Sequence, residues 1–127
     1  MATGISSYLA NAWLDAVGNN TSFAVATVYV KLHVSDPGPN GTSGAATETT
    51  RKAASFAAAS TGSIASDAAI TWTNIAGSQD ATHFTAWDNI SAGNFLFSGT
   101  ITANAYTAGD TFTISSGALT VSLTLAS

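Results

Sequence analysis

Two imidazoles, seven carboxylates and no thiol are what this chain of 127 residues offers for acid–base, nucleophilic or metal chemistry. His33 and His83 both fall on the polar side of their strands by alternation, and neither has a second ligand at a metal-binding spacing. They read as solvent-facing or interface side chains. The carboxylates are Asp15, Asp36, Glu48, Asp67, Asp80, Asp88 and Asp110. Most sit at turns or caps, where a short carboxylate accepts backbone N–H bonds. Glycoside hydrolysis would need two of them held roughly 5–9.5 Å apart around a sugar, and nothing in their spacing singles out such a pair. Asp36 and Asn40 could lend oxygens to Ca²⁺, but the alternating acidic pattern of a calcium loop is missing, so a structural turn is expected. No G-x-S-x-G, P-loop or G-x-G-x-x-G occurs, and without Cys there is no disulfide, thiolate zinc site or thiol nucleophile. The expectation is a protein with no catalytic residue, cofactor or metal: not an enzyme.

Contact chemistry is the alternative to catalysis, and the tryptophans are its natural carriers. Trp13 and Trp72 lie on apolar faces and read as packing residues, Trp13 docking a helix together with Leu9. Trp87 shares a predicted face with His83 and Thr85, opposite Phe84 and Ala86, and is the candidate exposed aromatic. The remaining candidates, Asp36, Pro37 and Asn40, belong to the segment from Asp36 to Gly44, where two prolines and three glycines exclude regular structure and predict a long exposed loop.

Periodicity says what positions these residues. Ile5, Leu9, Trp13, Ala16 and Val17 follow one helix face, with Thr3 as N-cap and Gly18-Asn19-Asn20 as the stop. From 26 to 35 the period becomes two: Val28, Val30, Leu32 and Val34 point one way, Tyr29, Lys31, His33 and Ser35 the other. Further strands are expected at 49–58, 68–73, 82–88, 95–103, 111–115 and 118–126, the last with Leu119, Val121, Leu123 and Leu125 on one face; the Ala59-Ser60-Thr61-Gly62 stretch reads as turn or bulge. Seven short strands at sandwich spacing predict a mainly β fold: an antiparallel β-sandwich, jelly-roll or Ig-like, behind one N-terminal α-helix. A partly closed barrel gives the same alternation. One domain over 1–127 is expected, with 1–20 the helical segment and 24–127 the sandwich.

Composition narrows the role. Charged residues are 8% of the chain, against about 25% in ordinary soluble domains. Charge depletion marks surface that sits in protein contacts. Net charge is −4 with only Lys31, Arg51 and Lys52 basic, so no stripe can neutralise a run of phosphates and no nucleic-acid partner is expected. No membrane span and no signal peptide are read, which implies synthesis and folding in cytoplasm.

The ordered motifs carry a resemblance. Ser7 to Asp15, Leu32-His33-Val34-Ser35-Asp36-Pro37-Gly38, Thr50-Arg51-Lys52-Ala53, Thr82-His83-Phe84, Gly93 to Gly99, Ala108 to Phe112 and Leu119-Thr120-Val121 together resemble small tail-fibre-like or minor tail proteins of actinobacterial and related tailed phages, among them capsid decoration proteins. The resemblance implies a virion location. Within the virion, the acidity, small size and low charge favour an outer-capsid decoration protein, partnered by the major capsid protein and by itself, as a trimer. The alternative is a tail-tip or tail-fibre component that binds host surface glycans.

Overall fold

A computed structural model describes residues 3–127. The first element, α1 (Ser7–Gly18), starts at Ser6, whose extended backbone lets its Oγ accept from the Leu9 N–H at 3.1 Å. Thr3, the expected cap, lies three residues too early. Ser6 wins because the same hydroxyl donates to the Phe95 carbonyl at 2.6 Å, so the cap also ties the helix to the sheet. Leu9 is buried and Trp13 half-buried against that sheet, whereas Ala16 and Val17, expected on the same face, are exposed. Val17 keeps 89% of its surface: the last turn of the helix overhangs the core.

Eight strands follow, all paired antiparallel. β1 (Val28–His33), β2 (Lys52–Ala54), β5 (Gln79–Trp87) and β6 (Phe95–Tyr106) form a sheet of order β2-β1-β5-β6. Opposite it, β3 (Ser63–Ala65) pairs with β8 (Thr120–Ser122), and β4 (Ile70–Trp72) with β7 (Phe112–Ile114). These two short ladders are one ribbon with a kink. Between them residues 66–69 face residues 115–119, one more on the second strand, and Ser66 closes the gap by exchanging backbone bonds with Gly117 and Leu119. The extra residue bends the ribbon as a β-bulge does. The layout is sandwich-like, sheet over ribbon, with Val30, Leu32, Phe84, Trp72, Ile75 and Leu119 almost solvent-free between the layers.

Two expected strands come out differently. The run 49–58 divides: 52–54 pairs with β1, and then the chain crosses to the ribbon, where Phe56 bridges Ser66 and Ala57 N–H donates to the Ala65 carbonyl. The next turn is a two-residue hairpin loop. Ser60 and Ser63 exchange both backbone bonds at 2.9 Å around Thr61 and Gly62, whose φ values are +49° and +75°. That turn creates β3, which alternation alone misses. The closing run 118–126 holds its ladder only over 120–122; Leu119 is buried, but Leu123 and Leu125 stand outside, 47% and 56% exposed. Within β6, Gly99 is opposite Phe84, and a Cβ there would come within 2.7 Å of the Phe84 ring. The missing side chain is the space that the ring fills.

Candidate functional site

Alternation along β1 sends Val30 and Leu32 toward the ribbon and Tyr29, Lys31 and His33 to the other side of the sheet. The register then sets His83, Thr85 and Trp87 of β5 opposite His33, Lys31 and Tyr29, and Ser98 and Phe95 of β6 opposite Thr85 and Trp87. So His83, Thr85 and Trp87 share one face with His33, and the loop that carries Asp36, Pro37 and Asn40 begins just beyond β1. That face is not the solvated surface expected. The segment from 34 to 46 leaves β1 and returns beside it, with Val34 N–H on the Gly44 carbonyl and Ala46 N–H on the Leu32 carbonyl, and in between it folds over the sheet. Gly41, at φ +71°, is buried, and a Cβ on it would fall 2.7 Å from the Phe95 ring, so the bare backbone seats on that ring. Asp36 Oδ1 accepts the Gly38 N–H at 2.8 Å and sets the turn.

Beneath the loop runs a chain of hydrogen bonds whose protonation follows from its ends. The Ser43 carbonyl can only accept, so His33 Nδ1, 2.8 Å away, carries the proton. At the far end the indole Nε1–H of Trp87 can only donate, and it gives its proton to Thr85 Oγ1 at 2.7 Å. Thr85 in turn donates to the bare Nε2 of His33 at 2.9 Å. Every polar atom of this relay is satisfied with a neutral imidazole. Burial pushes the His33 pKa below its ordinary value, outweighing the Ser43 carbonyl, which pulls it up.

Trp87 and Thr85, candidates for exposed contact, are therefore interior. Thr85 is fully buried within the relay, and Trp87 is 8% exposed because Arg51 roofs it, the guanidinium carbon 4.2 Å from the ring centroid. The same guanidinium staples the β5–β6 turn: Arg51 Nη1 donates to the carbonyls of Asn89 (2.8 Å) and Ala92 (2.7 Å). Asp88 closes that turn from within, accepting the Asn94 N–H at 2.7 Å and its side-chain amide at 2.9 Å. Pro37 is also buried, and its carbonyl accepts the Ser43 N–H at 2.9 Å. His33, expected on the polar side with solvent, is fully buried. Asn40 is exposed, Asp36 and His83 are half-buried, and His83 Nδ1 lies 2.8 Å from Thr82 Oγ1.

What reaches solvent on this face includes residues not singled out from the sequence: Tyr29, Lys31 and Arg51, all half-buried. The signal for them was available, since Lys31 and Arg51 are two of only three basic residues. At the rim, a polar cleft of about 330 Å³ opens between residues 3–7 and the loop tip 38–40, with Phe95 and Ser98 beneath it. A second, apolar groove of about 280 Å³ follows the helix–sheet junction past Trp13, Phe23 and Phe56. Leu9 and Trp13, expected to dock the helix, line that groove, with Leu9 seated in the core. Among the described residues, no three His, Asp or Glu side chains converge as a metal site would require.

A family model described as podophage GP4 fiber I protein gp80 matches residues 4–122, from ahead of α1 through β8. No curated protein matches the chain.

Proposed function

The chain belongs to the podophage GP4 fiber I protein gp80 family and is a bacteriophage virion structural protein; from that premise we propose that it is a non-enzymatic component of the tail fibre that contacts glycans of the host surface. The observation that carries this reading is the fibre-family match over nearly the whole fold. It favours the fibre over the outer-capsid clamp suggested by acidity and low charge, because those two properties suit any densely contacted virion protein. The family description names a podophage and no actinobacterial host.

The fold supports a binding role. A loop locked onto a sheet, with its polar interior fully satisfied, gives a rigid surface for recognition, and rigid elements hold a contact geometry without an ordering cost at the moment of binding. His33, the most buried imidazole, has both nitrogens committed to the relay, which leaves it no proton to exchange with a substrate. Self-association through the apolar surfaces outside the core belongs to the same proposal.

Copy number per virion tests the assignment, measured by quantitative mass spectrometry against the major capsid protein and paired with immunogold labelling. A few copies matching the tail's rotational symmetry, with label on the fibres, is the expected result. Hundreds of copies with label over the shell would overturn it in favour of a decoration protein. Incubating the chain with host polysaccharide should release no new reducing ends.

A further inference from the structure

Five side chains can carry positive charge: Lys31, His33, Arg51, Lys52 and His83. In an acidic chain the fold gathers four of them on one face of one sheet. Lys31 and His33 alternate to the same side of β1, and His83 is directly across from His33 on β5. Lys52 pairs with Val30, which sets the preceding Arg51 across from Lys31. Like charges facing each other on neighbouring strands oppose folding. His33 avoids the conflict by staying neutral inside the relay, but Lys31 has no such escape. It is partly desolvated, its side chain makes no hydrogen bond among the described residues, and the charged neighbour acting on it is Arg51, of the same sign. Asp88 offsets Arg51. Nothing comparable offsets Lys31.

Arg51, meanwhile, uses only Nη1 for its two carbonyl contacts, so Nη2 and Nε remain as donors on the side chain that the register sets across from Lys31. We propose that Lys31 and Arg51 form a subsite for an anionic group on the host glycan, a carboxylate or a phosphate, which supplies the negative charge that the fold withholds from Lys31. The guanidinium contributes a planar edge of donors and the ammonium a point charge, the combination that suits a two- or three-oxygen anion. Tyr29, half-buried on the same side of β1, offers an aromatic face to the sugar that bears the anion. This inference rests on the proposed glycan-binding role and names the chemistry of that contact.

The test is a titration of the whole chain with three probes: a uronate hexasaccharide, a glycerol-phosphate hexamer, and a panel of neutral hexasaccharides. Wild type and Lys31→Met, which keeps the apolar stem and removes the charge, are compared by affinity and by Tm. The expected result is binding to an anionic probe that weakens as salt rises, an affinity loss of about tenfold in Lys31→Met, and a Tm equal to or above wild type, since the substitution relieves the facing cations. Binding to the uronate alone assigns a carboxylate, to the phosphodiester alone a phosphate, and to both a general anion subsite. Binding to neutral sugars alone, or anion binding unchanged in Lys31→Met, would overturn the subsite and leave the glycan role standing. No binding to any probe would overturn both.

Discussion

The relay under the loop makes single-residue expectations sharp, because every member has one role and no spare partner. Thr85→Val keeps the shape and removes the hydroxyl, stranding the Trp87 Nε1–H and the His33 Nε2 in the interior. Each buried group left unpaired costs about 1–3 kcal/mol, so denaturant titration should find this nearly isosteric change among the most damaging on the face. The imidazole adds a pH dependence whose sign can be worked out. The folded His33 pKa lies below the ordinary value of 6.5. As pH falls through that value, the unfolded chain takes up a proton that the folded chain refuses, so stability is complete above it and declines in the window below. Glu48 acts later in the same direction. Although burial raises its pKa, its bonds to the Ala76 and Thr50 N–H groups win and hold it below the ordinary 4.5, so its contribution is lost only as pH falls past that value. Melting curves between pH 7 and pH 5 should show a falling Tm for wild type and a flatter profile for His33→Gln. Tyr106 gives the opposite kind of expectation. Its hydroxyl is buried with no partner among the described residues, so Tyr106→Phe should leave Tm unchanged or raise it.

At the scale of elements, Arg51 is the staple to test. Arg51→Lys keeps the charge but is shorter and has no planar group to lie flat on Trp87, so amide exchange across the turn at 88–94 should accelerate while the β1–β5 ladder stays protected. The elements also show what alternation can and cannot reveal. It predicts β1, β4, β5, β6 and β7 because each has one face set by Val, Ile, Phe or Trp at period two. It misses β3 because Ser63-Ile64-Ala65 offers a single large apolar residue, its ladder partner β8 lies far along the chain, and the Thr61-Gly62 turn that leads into it has a positive φ at Thr61 that no sequence rule favours. It also misjudges Thr85 and Trp87. Period two says that they share a side with His83, and they do, but it is silent on what covers that side. Over Thr85 the cover is the proline loop, whose Pro39, Asn40, Thr42 and Ser43 stay exposed as composition predicts while Gly41 lies bare and buried against Phe95; over Trp87 it is Arg51. Thr85 and Trp87 were thus brought to one face by local pattern, while their burial was decided by partners far away in the chain, the loop through His33 for Thr85 and Arg51 for Trp87.

For the molecule as a whole, the remaining question is where its unspent apolar surface goes. Val17 follows Trp13 by one helical turn, so the helix face that packs on the sheet continues past it into solvent. Leu123 and Leu125 continue the face of Leu119 and Val121 in the same way, and Leu123 also lines a small apolar hollow with Ile5 and Trp13. Two apolar stripes that begin in the core and end outside it meet around Trp13. With charged residues at 8% of the chain, there is little nearby to keep neighbours apart by repulsion. The outer edge of β6 from 99 to 105 adds an incentive: it carries no Lys, Pro or acidic residue, and among the described residues what interrupts it is the irregularity where three residues of β6 (101–103) face Thr82 alone on β5. The expected behaviour is self-association at micromolar concentration, read by sedimentation velocity. Replacing both Leu123 and Leu125 with Asp should shift the chain toward monomer while moving Tm little, because both side chains are already about half exposed when the chain stands alone. If the wild type sediments as a monomer, the stripe is covered in the virion by a different protein, and crosslinking from Leu125→Cys in intact particles would identify it. Either result fixes the neighbour of the helix end and closing strand, and leaves the Lys31–Arg51 face, on the opposite side of the sheet from the ribbon, free to meet the host.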